Sequence, residues 1–274
     1  MKRHLYILSL LAFIACEDPI SLEIPAGETK LVVEGVISNN FSDHPIKLSN
    51  TNGFSDDSPT SGNSGAIVTI TSSRGQVIPY SESINEPGTY LAETPFSGTV
   101  GDRYKLMFTL NDGESFESDF QDLNAVPEVN TLLFERDEFS NDEIYRVTVR
   151  TVDGVGNGDF YRWKIFKNNI ELGTLADIYL RSDRLFNGNR FDVTFDLFEF
   201  QSGDSCRVEQ FSLSESAFDF FRLIQIQAGG LGESTSTAPT QVIGNIRNIN
   251  DPEQEILGFF YCTSITESDT LIIE

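Results

Sequence analysis

The amino-acid sequence predicts an all-β protein made of two consecutive antiparallel β-sandwiches, the second with one packed α-helix. Three observations predict it. Short runs alternating apolar and polar residues recur along the chain. Clusters of Gly, Pro, Asn, Asp and Ser punctuate them, and a single segment repeats its apolar residues at helical spacing.

The chain opens on a different kind of segment. The eleven residues Leu5 to Ala15 are apolar in character, whereas a helix needs about 20 to cross a bilayer core. They follow Lys2, Arg3 and His4 and end in a small residue before Cys16, so residues 1–15 read as a secretory signal peptide. Phe13-Ile14-Ala15-Cys16 resembles a bacterial lipobox, with Cys16 as the lipidated residue; the alternative is a plain signal with an incidental cysteine. Acyl chains contribute about 0.8 kcal/mol per buried methylene, so a lipidated Cys16 anchors the chain without spanning. Residues 16–29 then form a lipidated tether.

Residues 30–126 read as the first sandwich. Lys30 to Ile37 and Pro45 to Ser49 are strand candidates, and Asn50 to Gly65 is a long polar loop. Ala66 to Thr71 is a strand that turns at Ser73-Arg74-Gly75 and returns, and further strands open at Pro87-Gly88-Thr89-Tyr90 and Gly101-Asp102-Arg103-Tyr104. Asn111-Asp112-Gly113 is a hairpin turn.

After Val126-Pro127 the pattern restarts, so residues 127–274 read as the second sandwich. Tyr145, Val147 and Val149 alternate with polar residues, as do Tyr161, Trp163 and Ile165, and Phe191, Val193, Phe195 and Leu197. Ser212-Leu213-Ser214-Glu215 has capping-box spacing, and Phe218, Phe221, Ile224 and Ala228 follow at helical intervals. A helix near 213–228 is expected, stopped by Gly229-Gly230, with a loop from 230 to 240. The order of elements fits immunoglobulin-like or transthyretin-like sandwiches.

Charge excludes some partners. The formal net charge is -23, and loss of Lys2 and Arg3 with the signal takes it to -25. Such an excess of carboxylates repels phosphate backbones, so nucleic acid is not an expected partner. With Cys16 lipidated, Cys206 and Cys262 remain. In an oxidising compartment they are expected to form a disulfide contributing roughly 4 kcal/mol, the alternative being two buried thiols.

Several short stretches resemble one known family. Val32-Val33-Glu34-Gly35, Gly65 to Ile70, Gly88-Thr89-Tyr90, Tyr161-Arg162-Trp163, Ser216 to Phe221, Ile243 to Ile246 and Leu257 to Phe260 occur in the order seen in the Bacteroidota lipoprotein family called domain of unknown function 4249. The resemblance implies an outer-membrane lipoprotein, often in the company of TonB-dependent receptors, with no defined catalytic residues. Glu17 and Asp18, directly after the lipidated cysteine, resemble the surface-export signal of such lipoproteins; as a solvated tether they need no such role.

No catalytic constellation stands out. His44 is the only histidine left after signal removal, and Ser42-Asp43-His44-Pro45 reads as a surface turn without a nucleophile motif. Zinc is not expected without a His/Cys cluster. Calcium is the one metal worth weighing: Asp153, Asn157 and Asp159 offer oxygens between glycines, although the same stretch serves equally as a hairpin connection. Phe54, Tyr80 and Tyr90 are the aromatics to test for surface exposure. The expected function is non-catalytic binding at the outer membrane, facing the exterior, as an accessory of a TonB-dependent receptor. The alternatives are a carboxylate-dependent hydrolase and an adhesive or structural surface protein.

Overall fold

The computed structural model describes residues 29–53, 60–154, 158–183, 188–229, 242 and 244–274. The signal, Cys16, Glu17, Asp18, Phe54, Asn157 and the loop from 230 to 240 lie outside them.

Alternation makes the strands. In β1 (Leu31–Ser38), Leu31, Val33 and Ile37 point inward, and in β6 (Arg103–Thr109), Tyr104, Leu106 and Phe108 do the same. These join β2 (Ile46–Asn50), β3 (Ile67–Ser72), β4 (Val77–Glu82), β5 (Thr89–Ala92), β7 (Ser115–Ser118) and β8 (Gln121–Asp122). Two late strands complete the same sheet, β16 (Ile246–Asn248) and β17 (Leu257–Thr263). The order is β16-β7-β6-β3-β4-β5-β2-β1-β17, with β8 beside β6. The sheet curls until its ends nearly meet. Asn245 Nδ2 donates to the Phe260 carbonyl at 2.6 Å, and the Phe260 N–H returns to Asn245 Oδ1 at 2.9 Å. One core fills the interior, including Tyr90, Phe116, Leu106 and Phe260.

This corrects two expectations. The first unit is one nearly closed sheet, and it is completed by residues beyond the expected 126/127 boundary, so the two units are not consecutive. It is not wholly antiparallel either, because β17 pairs parallel to β1, Val33 opposite Gly258 and Ile37 opposite Cys262. Gly258 permits this approach. It has φ +86, and a Cβ there would stand 2.0 Å from the Val33 carbonyl oxygen.

The second unit has two sheets. β9 (Val129–Arg136), β10 (Tyr145–Val152) and β14 (Arg190–Thr194) form the smaller, in the order β14-β10-β9. The larger runs β12-β11-β15-β18, from β11 (Phe160–Lys167), β12 (Ile170–Glu171), β15 (Ser205–Leu213) and β18 (Ile265–Glu267). β13 (Tyr179–Ser182) pairs with β11, and β19 (Leu271–Ile272) with β15. Val147, Val149, Trp163, Phe195 and Phe200 share the core between the two sheets. Within it the Trp163 indole N–H donates to Gln210 Oε1 at 3.0 Å, which satisfies a polar group that burial would otherwise penalise.

The helix α1 (Glu215–Gln227) begins two residues later than the capping-box spacing suggests. Ser214 is its N-cap, its hydroxyl accepting from Ala217 N–H at 3.2 Å, because Ser212 still belongs to β15. Its buried face, Ala217 and Phe221, covers the outer side of β11. Phe220 stacks on Phe259 of β17 at 4.5 Å, so the helix also grips the first sheet. A hydroxyl network reinforces that junction: Ser212 and Ser264 both donate to the Asn124 carbonyl, at 2.8 and 2.6 Å.

The expected disulfide is absent. Cys206 is buried in the sandwich core and Cys262 in the core of the curled sheet, and both are free thiols. Each strand carries its cysteine into a different interior, which no bridge can span without backbone movement. Burial pushes the Cys206 thiol up to about 12 and Cys262 well above its usual range. Thiol-reactive dye is therefore expected to label neither residue in the native protein and both after unfolding. Rapid native labelling would contradict this burial.

Candidate functional site

The residues singled out for calcium flank one loop. Asp153 follows β10 and Asp159 precedes β11. The structure adds a third carboxylate. Phe160 pairs with Ser182 across β11 and β13, which carries the next residue, Asp183, opposite Asp159. The Asp183 N–H donates to the Asp159 carbonyl at 3.0 Å. One oxygen from each of Asp153, Asp159 and Asp183 lies within 4.8 Å of the others. Oxygens on opposite sides of one Ca²⁺ are roughly 4.8 Å apart, so a single ion can reach all three.

Burial makes the cluster unusual. Asp153 is 4% exposed and Asp183 1%, whereas aspartates are almost never so buried unless paired. Among the described residues no Lys or Arg forms an ion pair with any of the three. Neutral donors hold them instead. The Tyr161 hydroxyl donates to Asp153 Oδ1 at 2.5 Å and the Gly188 N–H to Asp153 Oδ2 at 2.9 Å, while the Gly158 N–H donates to Asp183 Oδ2 at 3.0 Å. Burial, followed by the charges of Asp153 and Asp183, raises the Asp159 carboxyl above its ordinary value. Burial, followed by the hydrogen bond to Asp153, raises the Tyr161 hydroxyl and keeps it a donor. A hard cation bound by carboxylate oxygens would neutralise this concentration of negative charge.

Asp183 and Gly158 also line a cleft of about 500 Å³. Asp122 and Asn124 close it from the end of the curled sheet, Phe160 from β11, and Ser214 and Glu215 from the start of α1. The Ser214 hydroxyl donates to Gln121 Oε1 at 3.3 Å, which ties the helix start to β8 along this rim. The cleft is polar and acidic, with no histidine or thiol among its described lining residues.

The family profile described as Domain of unknown function (DUF4249) matches residues 17–269. The chain belongs to this family. The DUF4249 span runs from before β1 to the end of β18, so the closure of the curled sheet, the three aspartates and the cleft all lie inside it. No curated protein matches the chain.

Other residues chosen from sequence fall elsewhere. His44 is not a surface residue: it is 3% exposed, with Nε2 3.0 Å from the Phe96 carbonyl and its ring edge-on to Phe96. Burial lowers its pKa. Tyr80 and Tyr90 are core residues, and the Tyr90 hydroxyl donates to the Asn63 carbonyl at 2.6 Å. Asp183 was not legible beside Asp153 and Asp159 because strand pairing, not a local motif, brings it there. The one available signal was the register of β13 on β11, which sequence alone does not fix.

Proposed function

We propose that this DUF4249 protein is a lipid-anchored, non-catalytic binding module of the outer membrane, facing the exterior, and an accessory of a TonB-dependent receptor. The cleft carries this reading. Its walls come from the curled sheet, the sandwich and the helix start, and their described residues offer hydrogen-bonding groups, Asp122, Asn124, Asp183, Ser214 and Glu215. That composition suits recognition of a polar ligand. Calcium at Asp153, Asp159 and Asp183 would fix one wall of the cleft.

The anchor rests on Cys16, with Glu17 and Asp18 directing export. Among the described residues no helix is long and apolar enough to cross a membrane. Substituting Cys16→Ala is expected to shift the protein from the membrane pellet to the soluble fraction. Purification from gently solubilised outer membranes is expected to bring a stoichiometric TonB-dependent receptor with it. A variant that stays in the membrane would remove the anchor from this reading, and recovery of the protein alone would remove the receptor.

A carboxylate-dependent hydrolase is the second reading, favoured by one observation. Asp122, Asp183 and Glu215 line one cleft beside Asp159, whose carboxyl is held protonated to higher pH than usual. Turnover of a glycoside or ester that Asp183→Asn abolishes would favour it over pure binding.

A further inference from the structure

A second groove lies away from the aspartates, between α1 and β13, with a volume of about 350 Å³. Its walls include Tyr179, Leu180 and Arg181 from β13, Leu197 beyond β14, and Phe218 and Arg222 from α1. The two arginines are the informative members. Among the described residues nine cations are taken by carboxylates: Lys30, Arg74, Lys105, Arg146, Arg150, Lys164, Lys167, Arg207 and Arg247 each form an ion pair. Arg181 and Arg222 form none among the described residues, Asp219 one turn earlier on the helix included.

The other polar groups of the groove are occupied. Asp196 accepts the Tyr179 hydroxyl at 3.0 Å, and that hydroxyl in turn accepts the Leu197 N–H at 2.9 Å. The Gln225 amide donates to the Ile178 carbonyl at 2.6 Å, which pins the helix to the segment leading into β13. Arg181 gives one N–H to the neighbouring Leu180 carbonyl at 3.0 Å, its one hydrogen bond among the described residues. Two guanidinium groups therefore line one groove without a direct ion pair among the described residues, against the single Asp196 carboxylate in its wall and beside the apolar surface of Leu180, Leu197 and Phe218. Leu197 is 57% exposed, an apolar side chain left at the rim with space beside it.

We infer that this groove binds a ligand with a carboxylate and an apolar body, the carboxylate held between Arg181 and Arg222 and the body against Leu197 and Phe218. Guanidinium matches carboxylate geometry in two-pronged pairs. The net charge of the chain works in favour of selectivity, since its field repels anions from the rest of the surface. Two sources share this chemistry, a peptide-like acid and an aliphatic acid.

The test titrates N-acetyl-leucine and octanoate into the purified full chain, with N-acetyl-leucinamide and octanol as uncharged counterparts. At least one acid is expected to bind about tenfold more tightly than its counterpart, the scale of a charge-assisted hydrogen-bonded pair. The preferred acid identifies the source. Arg181→Gln and Arg222→Gln are each expected to weaken that binding several-fold. Both side chains are exposed, so the variants should keep the parent melting temperature, which shows that a loss is local. The inference is overturned if neither acid binds by about 10 mM, if an uncharged counterpart binds as well, or if both substitutions leave affinity unchanged.

Discussion

A Gly258→Ala variant is expected to lose about 3 kcal/mol of stability, the combined cost of a left-handed backbone for alanine and of a backbone collision. In a chain of this size that lowers the melting temperature by roughly 10 °C. The added Cβ would meet the Val33 carbonyl oxygen at 2.0 Å. Val33 cannot retreat, since β1 is held between β2 and β17. Gly75 supplies the control: its φ is +83 but nothing lies within 4 Å of an added Cβ, so Gly75→Ala reports backbone strain alone. Equal losses in the two variants would show that the parallel contact of β1 with β17 is looser than described.

The second large effect concerns the three aspartates. Calcium is expected to raise the melting temperature, by about 2.7 kcal/mol of stabilisation at a hundredfold excess over its dissociation constant. Magnesium should do less, because it demands tighter octahedral geometry and gives up water reluctantly. In chelator at neutral pH, Asp183→Asn is expected to be more stable than the parent, having lost one of three crowded charges, yet insensitive to calcium. The pH dependence follows from Asp159. Its carboxyl is raised in the folded state above 3.8, so the folded protein holds that proton more tightly than the unfolded chain. Its favourable contribution is complete below the unfolded value and is lost as pH rises through the raised one. Glu117 is shifted the opposite way by Lys105 and Arg247, and Asp204, against the opposing effect of burial, by Lys167 with the Gln201 N–H and Asn168, and their contribution is lost as pH falls. The difference between parent and Asp159→Asn isolates the aspartate effect. Calcium should flatten that difference; a calcium-independent melting temperature and no effect of Asp183→Asn would dismiss the metal.

What could be read from the sequence was local. Alternation at Val147 and Val149, or at Tyr161 and Trp163, marks strands because side-chain direction has a period of two whatever the partner. Phe218, Phe221 and Ile224 mark the helix for the same kind of reason. Partnership is not local. Nothing in Leu257 to Thr263 distinguishes a strand of the second unit from one that returns to β1, and a disulfide between Cys206 and Cys262 was plausible only while both were assigned to one sandwich. The candidate site divides along the same line. Asp153 and Asp159 could be found from their spacing around one loop, whereas Asp183 needed a register. His44 was misplaced because a short polar stretch resembles a surface turn even when its histidine folds inward over Phe96.

The pairing of β1 with β17 has a consequence for how the chain acquires its structure. Val32 lies beside Leu257, so the first of the described strands waits for a late one before its second edge is covered. Contacts this distant in sequence carry a large loop-closure cost and slow folding. The curled sheet cannot close while the chain is still being synthesised. For the exported lipoprotein proposed above, that delay would keep the sheet open until the C-terminal strands have arrived on the same side of the membrane as the N-terminal ones.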